Sequence, residues 1–584
     1  VTLDCQGHLI DGVKNSGTYG VYFESGYSDF ILTNCKINDW DDGVKAEGNN
    51  LEFTDSWVNS SLKSNLVLGF SSGHYIENVT STFAGLSGIY LRSASNSVLR
   101  NVNSSYNSWN GIYLYNSQYI EIYDSVAMHN DRADFEAEAT EAKYCDNKIQ
   151  NLTVTEGKLL YFNETTTVES QTGIASIVLC DADHSVVRNI SLKSDIRQTE
   201  GYGIYIDYTD YGVITNVSIQ GYDYGIYMYS GTHNTVNTSR IFNNTYGIYL
   251  EISPIYNTFY NNFFNNSNNV YTSDGQENYF NVAKRYGINI VGGPFIAGNY
   301  WAKPSGTGHS ETCVDYTRDD ICDSPKTIDS NNVDYLPLTT GHTKFIDSCT
   351  DLNESNIGYY LTQDIIDSEE FVCMNMSVSN ITLDCMYHNI DGNDTTIYGK
   401  RAISLESGGA TVEDMVVRNC NVTDWNMGIA LGAETIYVKN VTIFNNTVEN
   451  NYVGILVDSS SSQFINTSFS YNKIRNNERG YDFESFWDYG DIVNYINVSY
   501  DVSANNTYDY YLYDASQYPS VRIYFRNTDF TSPRTMKLSN SEFWYTNGSE
   551  IFLVSKFDGT VNRLSLIHIS EPTRPRLISY AVFC

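Results

Sequence analysis

YGIYIDYTDYGVITNVSIQGYDYGIYMYSGTHNTVNTSRIFNNTYGIYL, residues 202–250, decides how this chain folds. A four-residue word, glycine–apolar–tyrosine–apolar, opens at Gly203, Gly225 and Gly247, once every 22 residues. The same word opens at Gly20 (GVYF), Gly88 (GIYL) and Gly111 (GIYL), with a weaker copy, GVKA, at Gly43. Gly20 to Gly43 and Gly88 to Gly111 are steps of 23, and the 45 residues from Gly43 to Gly88 are close to two such steps. A second word lies between these: an apolar pair, a polar residue, Asn and another apolar residue. It reads ILTNC from Ile31, YIENV from Tyr75, VLRNV from Val98, VVRNI from Val186 and VITNV from Val213.

Each unit therefore holds two or three period-2 strands parted by Gly, Asn, Ser and Asp turns. One such unit cannot bury its own apolar side, but a stack of them can, each strand pairing in parallel with its copy one coil away. Propeller blades repeat over longer periods. The expected fold is all-β, a right-handed parallel β-helix (solenoid). Val, Ile, Leu and Tyr would form inward ladders, and the recurring Asn would bond coil to coil in the turns.

The second half repeats the plan at a step of 26, with GIAL at Gly428, GILV at Gly454 and GYDF at Gly480. VTLDCQGHLIDG from Val1 parallels ITLDCMYHNIDG from Ile381, and TNCKINDWDDGV from Thr33 parallels RNCNVTDWNMGI from Arg418. Two tandem β-helical stretches are expected: residues 1–297, N-terminally truncated and with an insertion near 140–180, and residues 346–504. Residues 298–345 break the period and read as a closing segment and acidic linker. Residues 505–563 form a β region of uncertain fold. LSLIHISEPTR (Leu564–Arg574) and the final ISYAVFC resemble translated sequencing-adapter sequence, so 564–584 is expected to be non-native.

Composition agrees. The 584 residues include 49 Tyr and 41 Gly but only 9 Pro, a mixture that favours strands and tight turns. A formal net charge of -34 leaves no basic footprint for nucleic acid. No run of about 18 apolar residues is present, so no transmembrane helix is expected.

The ITLDC–x–x–H–x–IDG openings, the stretch GKLLYFNETTTVESQTGIASIVLCDADHSVVRNI from Gly157, and GNYW at Gly298 with CDSPKTIDSNNVDYLPL from Cys322 resemble the NosD-like group of right-handed β-helix proteins, of the pectin-lyase-like superfamily and the archaeal surface-protein type. The resemblance spans most of residues 1–500. It implies an exported protein and raises three roles: a structural, adhesive or carbohydrate-binding surface module; a polysaccharide-active lyase, hydrolase or epimerase; and copper delivery. No catalytic residue is assigned.

Cysteines fall at paired positions: Cys5 with Cys35 and Cys385 with Cys420 in neighbouring coils, Cys313 with Cys322 around the acidic loop, Cys349 with Cys373, and Cys145 with Cys180 around the insertion. An even number suits disulfides in an oxidising compartment, with buried free thiols as the alternative for the coil pairs. About twenty N-x-[ST] sequons, among them Asn78, Asn189, Asn216, Asn421 and Asn440, fit export and glycosylation.

By the resemblance, Cys313–Asp323 corresponds to a calcium loop. Asp315, Asp319 and Asp323 keep ligand positions, but Thr317 replaces an expected Asp, and Arg318 and Asp320 stand where Gly is usual. A disulfide-pinned turn is the alternative. Copper would need clustered Met, Cys or His, whereas His8, His74, His129, His184, His233, His309, His342 and His388 are scattered. Carboxylates that could serve an enzyme occur at Asp41, Asp42 and Glu47 and in the run Asp131 to Glu141, read as an excursion from the coil. The tyrosines either point outward as an aromatic surface suited to sugars or inward as a ladder. Glycans or cell-envelope components are the expected partners.

Overall fold

The computed structural model describes residues 1–561 apart from 197, 274, 407–408, 433–436, 459–461, 485–493, 514–520, 531–535, 543 and 547–555. The adapter-like tail lies outside the described residues. The chain forms two compact units: Val1–Val314 with Ile321–Thr340, and Asp315–Asp320 with the chain from Gly341 onward. Each is a stack of parallel strands. Among the described residues no helix is long and apolar enough to cross a membrane.

In the first unit the glycine words become a six-stranded sheet running from Tyr19–Phe23 to Ala133–Glu138. Val21, Val44, Leu66, Ile89, Ile112 and Phe135 are register partners in succession. The double step between Gly43 and Gly88 holds a coil at Leu66–Gly69, hidden in the sequence because Asn65 occupies the glycine position. Glycine is favoured there by close approach: a Cβ on Gly225 would lie 2.6 Å from the Gly247 carbonyl of the next coil. Ile and Leu of each word are buried, each contributing about 1.5–3 kcal/mol.

Two kinds of asparagine ladder join the coils. The strand-ending asparagines adopt positive φ, as at Asn78 (55°) and Asn101 (50°), and Asn101 Nδ2 donates to Asn78 Oδ1 at 2.6 Å on the surface. A second ladder is buried. Asn244 Nδ2 donates to Asn266 Oδ1 at 3.0 Å, and Asn446 Nδ2 to Asn472 Oδ1 at 3.0 Å.

The insertion folds as a short 3-10 turn, Ala142–Cys145, and an antiparallel pair, Leu152–Val154 with Gly157–Phe162. A seven-stranded sheet then continues through Ile174–Cys180, Tyr202–Asp207, Tyr224–Thr232, Tyr246–Ile255 and Asn268–Thr272. The GNYW segment closes this stack. Tyr300–Ala302 pairs with Phe263–Asn265, and buried Trp301 lies 5.0 Å from the Phe264 ring and donates to Asp334 at 2.8 Å.

The second unit stacks its coils in sheets of nine, nine and seven strands, with a fourth sheet of three strands along its middle coils. It repeats devices of the first: Trp40 Nε1 donates to the Ile10 carbonyl and Trp425 Nε1 to the Ile390 carbonyl, each at 3.1 Å. The stretch from 505, left unplaced by the sequence, continues the coils. Tyr508–Tyr513 pairs in parallel with Arg479–Glu484, and Val521–Arg526 with Asn494–Ser499, before Met536–Glu542 and Lys556–Val561 end antiparallel. The pattern fades there because Tyr481 pairs with Tyr510, a step of 29 rather than 26. Disulfides join Cys5–Cys35, Cys145–Cys180, Cys313–Cys322, Cys349–Cys373 and Cys385–Cys420.

Candidate functional site

The tyrosine of each glycine word points outward, because the flanking Ile and Leu take the core positions of a period-2 strand. In the first sheet Tyr90 and Tyr113 lie face to face, 5.0 Å apart and 8° from parallel, so each covers the other. The seven-stranded sheet is different. Tyr205, Tyr227, Tyr249 and Tyr271 form one column and Tyr202, Tyr224 and Tyr246 a second beside it. Tyr205 and Tyr202 are buried, and exposure rises along the column to 40% at Tyr271. Tyr227 stands edge-on to Tyr249 (5.3 Å, 89°), and Tyr246 edge-on to Tyr249 (5.2 Å, 77°). Tyr249 and Tyr271, by contrast, stack at 4.5 Å and 13°, and Tyr224 and Tyr246 at 5.6 Å and 25°, so the surface mixes edge-on and stacked pairs. The Tyr227 hydroxyl donates to Glu251. Burial pushes the Tyr249 hydroxyl up to about 12, so it stays neutral.

A group of carboxyls borders this surface. The run from Asp131 is not an excursion: Ala133–Glu138 is a coil strand paired with Asn110–Tyr115. The chain from Thr199 returns to it, Thr199 N–H and Glu200 N–H donating to the Asp131 and Arg132 carbonyls at 3.2 and 3.1 Å. Arg132 thereby holds Glu136 (2.9 Å) and Glu200, with its guanidinium 4.6 Å from the Trp109 ring. Burial pushes Glu136 up to about 7 against the pull of Arg132. Asp207, which accepts from Ser230 at 2.7 Å, is likewise pushed up to about 7 by burial. Sequence reasoning missed this group, since the insertion separates its members along the chain. Asp41, Asp42 and Glu47 are occupied elsewhere: Asp41 binds Lys63 (2.9 Å), Asp42 accepts from Ser64 N–H (3.2 Å), and Glu47 binds Lys45 (3.0 Å).

Of the three aspartates expected to hold calcium, Asp315 joins a different cluster. Asp315, Asp320 and His342 of the second unit converge within 4.8 Å. Asp319 is buried nearby, and its charge, after burial itself, helps push the Asp315 carboxyl up. Asp315 accepts from Thr317 Oγ1 and from the N–H groups of Arg318, Asp319 and Asp320 at 2.7–3.1 Å, so its oxygens pin the turn. Asp320 accepts from His342 N–H at 2.9 Å and from the Thr343 hydroxyl. Calcium asks for six to eight oxygens, and this set fits a pinned turn better.

Copper fits no better. His184 and His233 flank Tyr211 in a ring stack, at 5.3 and 5.0 Å, so their coils are separated by an intervening one. All ten cysteines of the described residues are in disulfides. His74 is buried, its Nδ1 accepting from Leu51 N–H at 3.2 Å.

Residues 19–189 match the family described as right handed beta helix region, and residues 161–306 match periplasmic copper-binding protein (NosD). The chain is a right-handed parallel β-helix whose residues 161–306 are similar to the NosD family. No curated protein matches it. Solved structures similar to this chain include pectate lyase Pel9A (14% identity over 47% of this chain and 70% of that chain, TM-score 0.22). Two others are the PL6 family alginate lyase AlyGC (10%, 94% and 85%, TM-score 0.15) and the A-module of the Azotobacter vinelandii mannuronan C-5 epimerase AlgE6 (8%, 90% and 92%, TM-score 0.13). At these TM-scores the likeness carries no argument about the chemistry of this protein.

Proposed function

We propose that this is an exported, cell-surface or secreted β-helix that binds glycans on the tyrosine surface of its first unit. The cluster of Tyr224, Tyr227, Tyr246, Tyr249 and Tyr271, which opens to solvent at Tyr271, carries the reading, because sugars stack on exposed aromatic rings. Five disulfides and the acidic surface support an oxidising, extracellular setting. A glycan array probed with the purified chain tests it. Binding that is lost in Tyr249→Ala supports the reading, and an array without any signal overturns it.

A second reading, a polysaccharide-active enzyme, is favoured by the buried Glu136 and Asp207, which hold protons near neutral pH beside the same surface. Release of reducing ends or unsaturated products, abolished by Glu136→Gln, would support it. Copper delivery is not supported by the donor set.

A further inference from the structure

We infer that the tyrosine surface selects an uncharged, linear hexopyranose chain with equatorial substituents, of the β-1,4-glucan or N-acetylaminoglucan kind, and excludes polyuronates. The inference rests on the glycan-binding reading and specifies its ligand.

The first observation is charge. The strands Ile174–Cys180, Tyr202–Asp207, Tyr224–Thr232, Tyr246–Ile255 and Asn268–Thr272 contain no Lys, Arg or His, while Asp207 and Glu251 lie among them. Glu200 and Asp223 act electrostatically on Tyr224, and Glu251 on Tyr227. Among the described residues the cation at this border is Arg132, and Glu136 and Glu200 already bind it. A chain bearing one carboxylate per sugar would lie against these groups with no counter-charge, and such like-charge contacts are how a surface rejects a wrong partner.

The second observation is geometry. The two columns place a pair of phenol rings on successive coils, Tyr224 with Tyr227 and Tyr246 with Tyr249, followed by Tyr271. Coils repeat about every 4.8 Å, so a linear chain lying along the stack meets new rings at each step. Tyr271, stacked on Tyr249 at the end of the column and 40% exposed, offers aromatic surface to the C–H faces of equatorially substituted sugars. Tyrosine hydroxyls then supply neutral donors and acceptors for sugar hydroxyls.

The test is isothermal titration of the full chain with cellohexaose, chitohexaose, hexamannuronate and hexagalacturonate, at low and high salt. We expect one or both neutral hexamers to bind, the uronates not to bind, and Tyr271→Ala, at an exposed position, to weaken neutral binding about tenfold. Uronate binding equal to neutral binding, weakened by Tyr271→Ala, would overturn this inference while leaving the glycan reading intact. Failure of all four hexamers to bind would overturn both.

Discussion

Replacing Asn244 with Ala should destabilise the middle of the first unit by about 3–5 kcal/mol. Asn244 is 1% exposed. Its Nδ2 donates to the Ile219 carbonyl (3.2 Å) and to Asn266 Oδ1 (3.0 Å), and its Oδ1 accepts from Tyr222 N–H (2.9 Å). Truncation strands a buried N–H and a buried carbonyl, each costing roughly 1–2 kcal/mol with partial relief by water, and loses the bond to Asn266, worth about 1 kcal/mol. Asn216, whose Nδ2 donates to Asn189 Oδ1 at 2.7 Å on the surface, serves as the comparison. Asn216→Ala should cost under about 1 kcal/mol because water replaces the lost partner. A stacked array can open locally, so the readout is amide exchange of Tyr222 and Tyr246 alongside denaturant midpoints. Equal costs at Asn244 and Asn216 would refute the claim that the inner ladder joins the coils.

Four further outcomes are expected. Asp207 has a pKa raised from 3.8 to about 7, so the folded state binds more protons than the unfolded state between those values. Its stabilisation is complete at low pH and is lost as pH rises toward 7, a slope that Asp207→Asn should flatten in pH-dependent exchange of the Tyr202–Asp207 strand. His74 has the opposite sign: its pKa is lowered from 6.5 to about 4, so its coil loses stability as pH falls through that window, and exchange of Leu51 N–H reports it. Removing the Cys385–Cys420 disulfide, which spans a separation of 35 residues, should cost about 3–4 kcal/mol in the second unit, measured by denaturation of the double alanine variant. Calcium should not raise the melting temperature of the protein, since Asp315 is committed to backbone donors; a saturable rise abolished by Asp320→Asn would show otherwise.

The glycine words were legible because close approach between coils demands a small residue, and the cysteine pairs because equivalent positions in stacked coils lie within bonding distance. The coil at Leu66 was concealed by Asn65, and the coils after 505 by lengthened turns and by Asp509 in the glycine position. Tyrosine phase was not legible. In GIYL both faces of the strand are apolar, and only packing shows that Ile and Leu go in. The inner ladder had left a signal, Asn244 and Asn266 one period apart, but asparagines at strand ends drew attention instead. Arg132, Glu136 and Glu200 could not be joined from sequence, because 64 residues and a folded insertion separate Glu136 from Glu200.

Engineered cross-linking tests parallel stacking with outward tyrosines most directly. Tyr227 and Tyr249 are register partners on adjacent coils, whereas Leu250, one residue on, faces the core. Mild oxidation of Tyr227→Cys/Tyr249→Cys should yield an intramolecular disulfide by mass spectrometry, and Tyr227→Cys/Leu250→Cys should not. A bond in the second pair and none in the first would contradict both the register and the orientation described for this face.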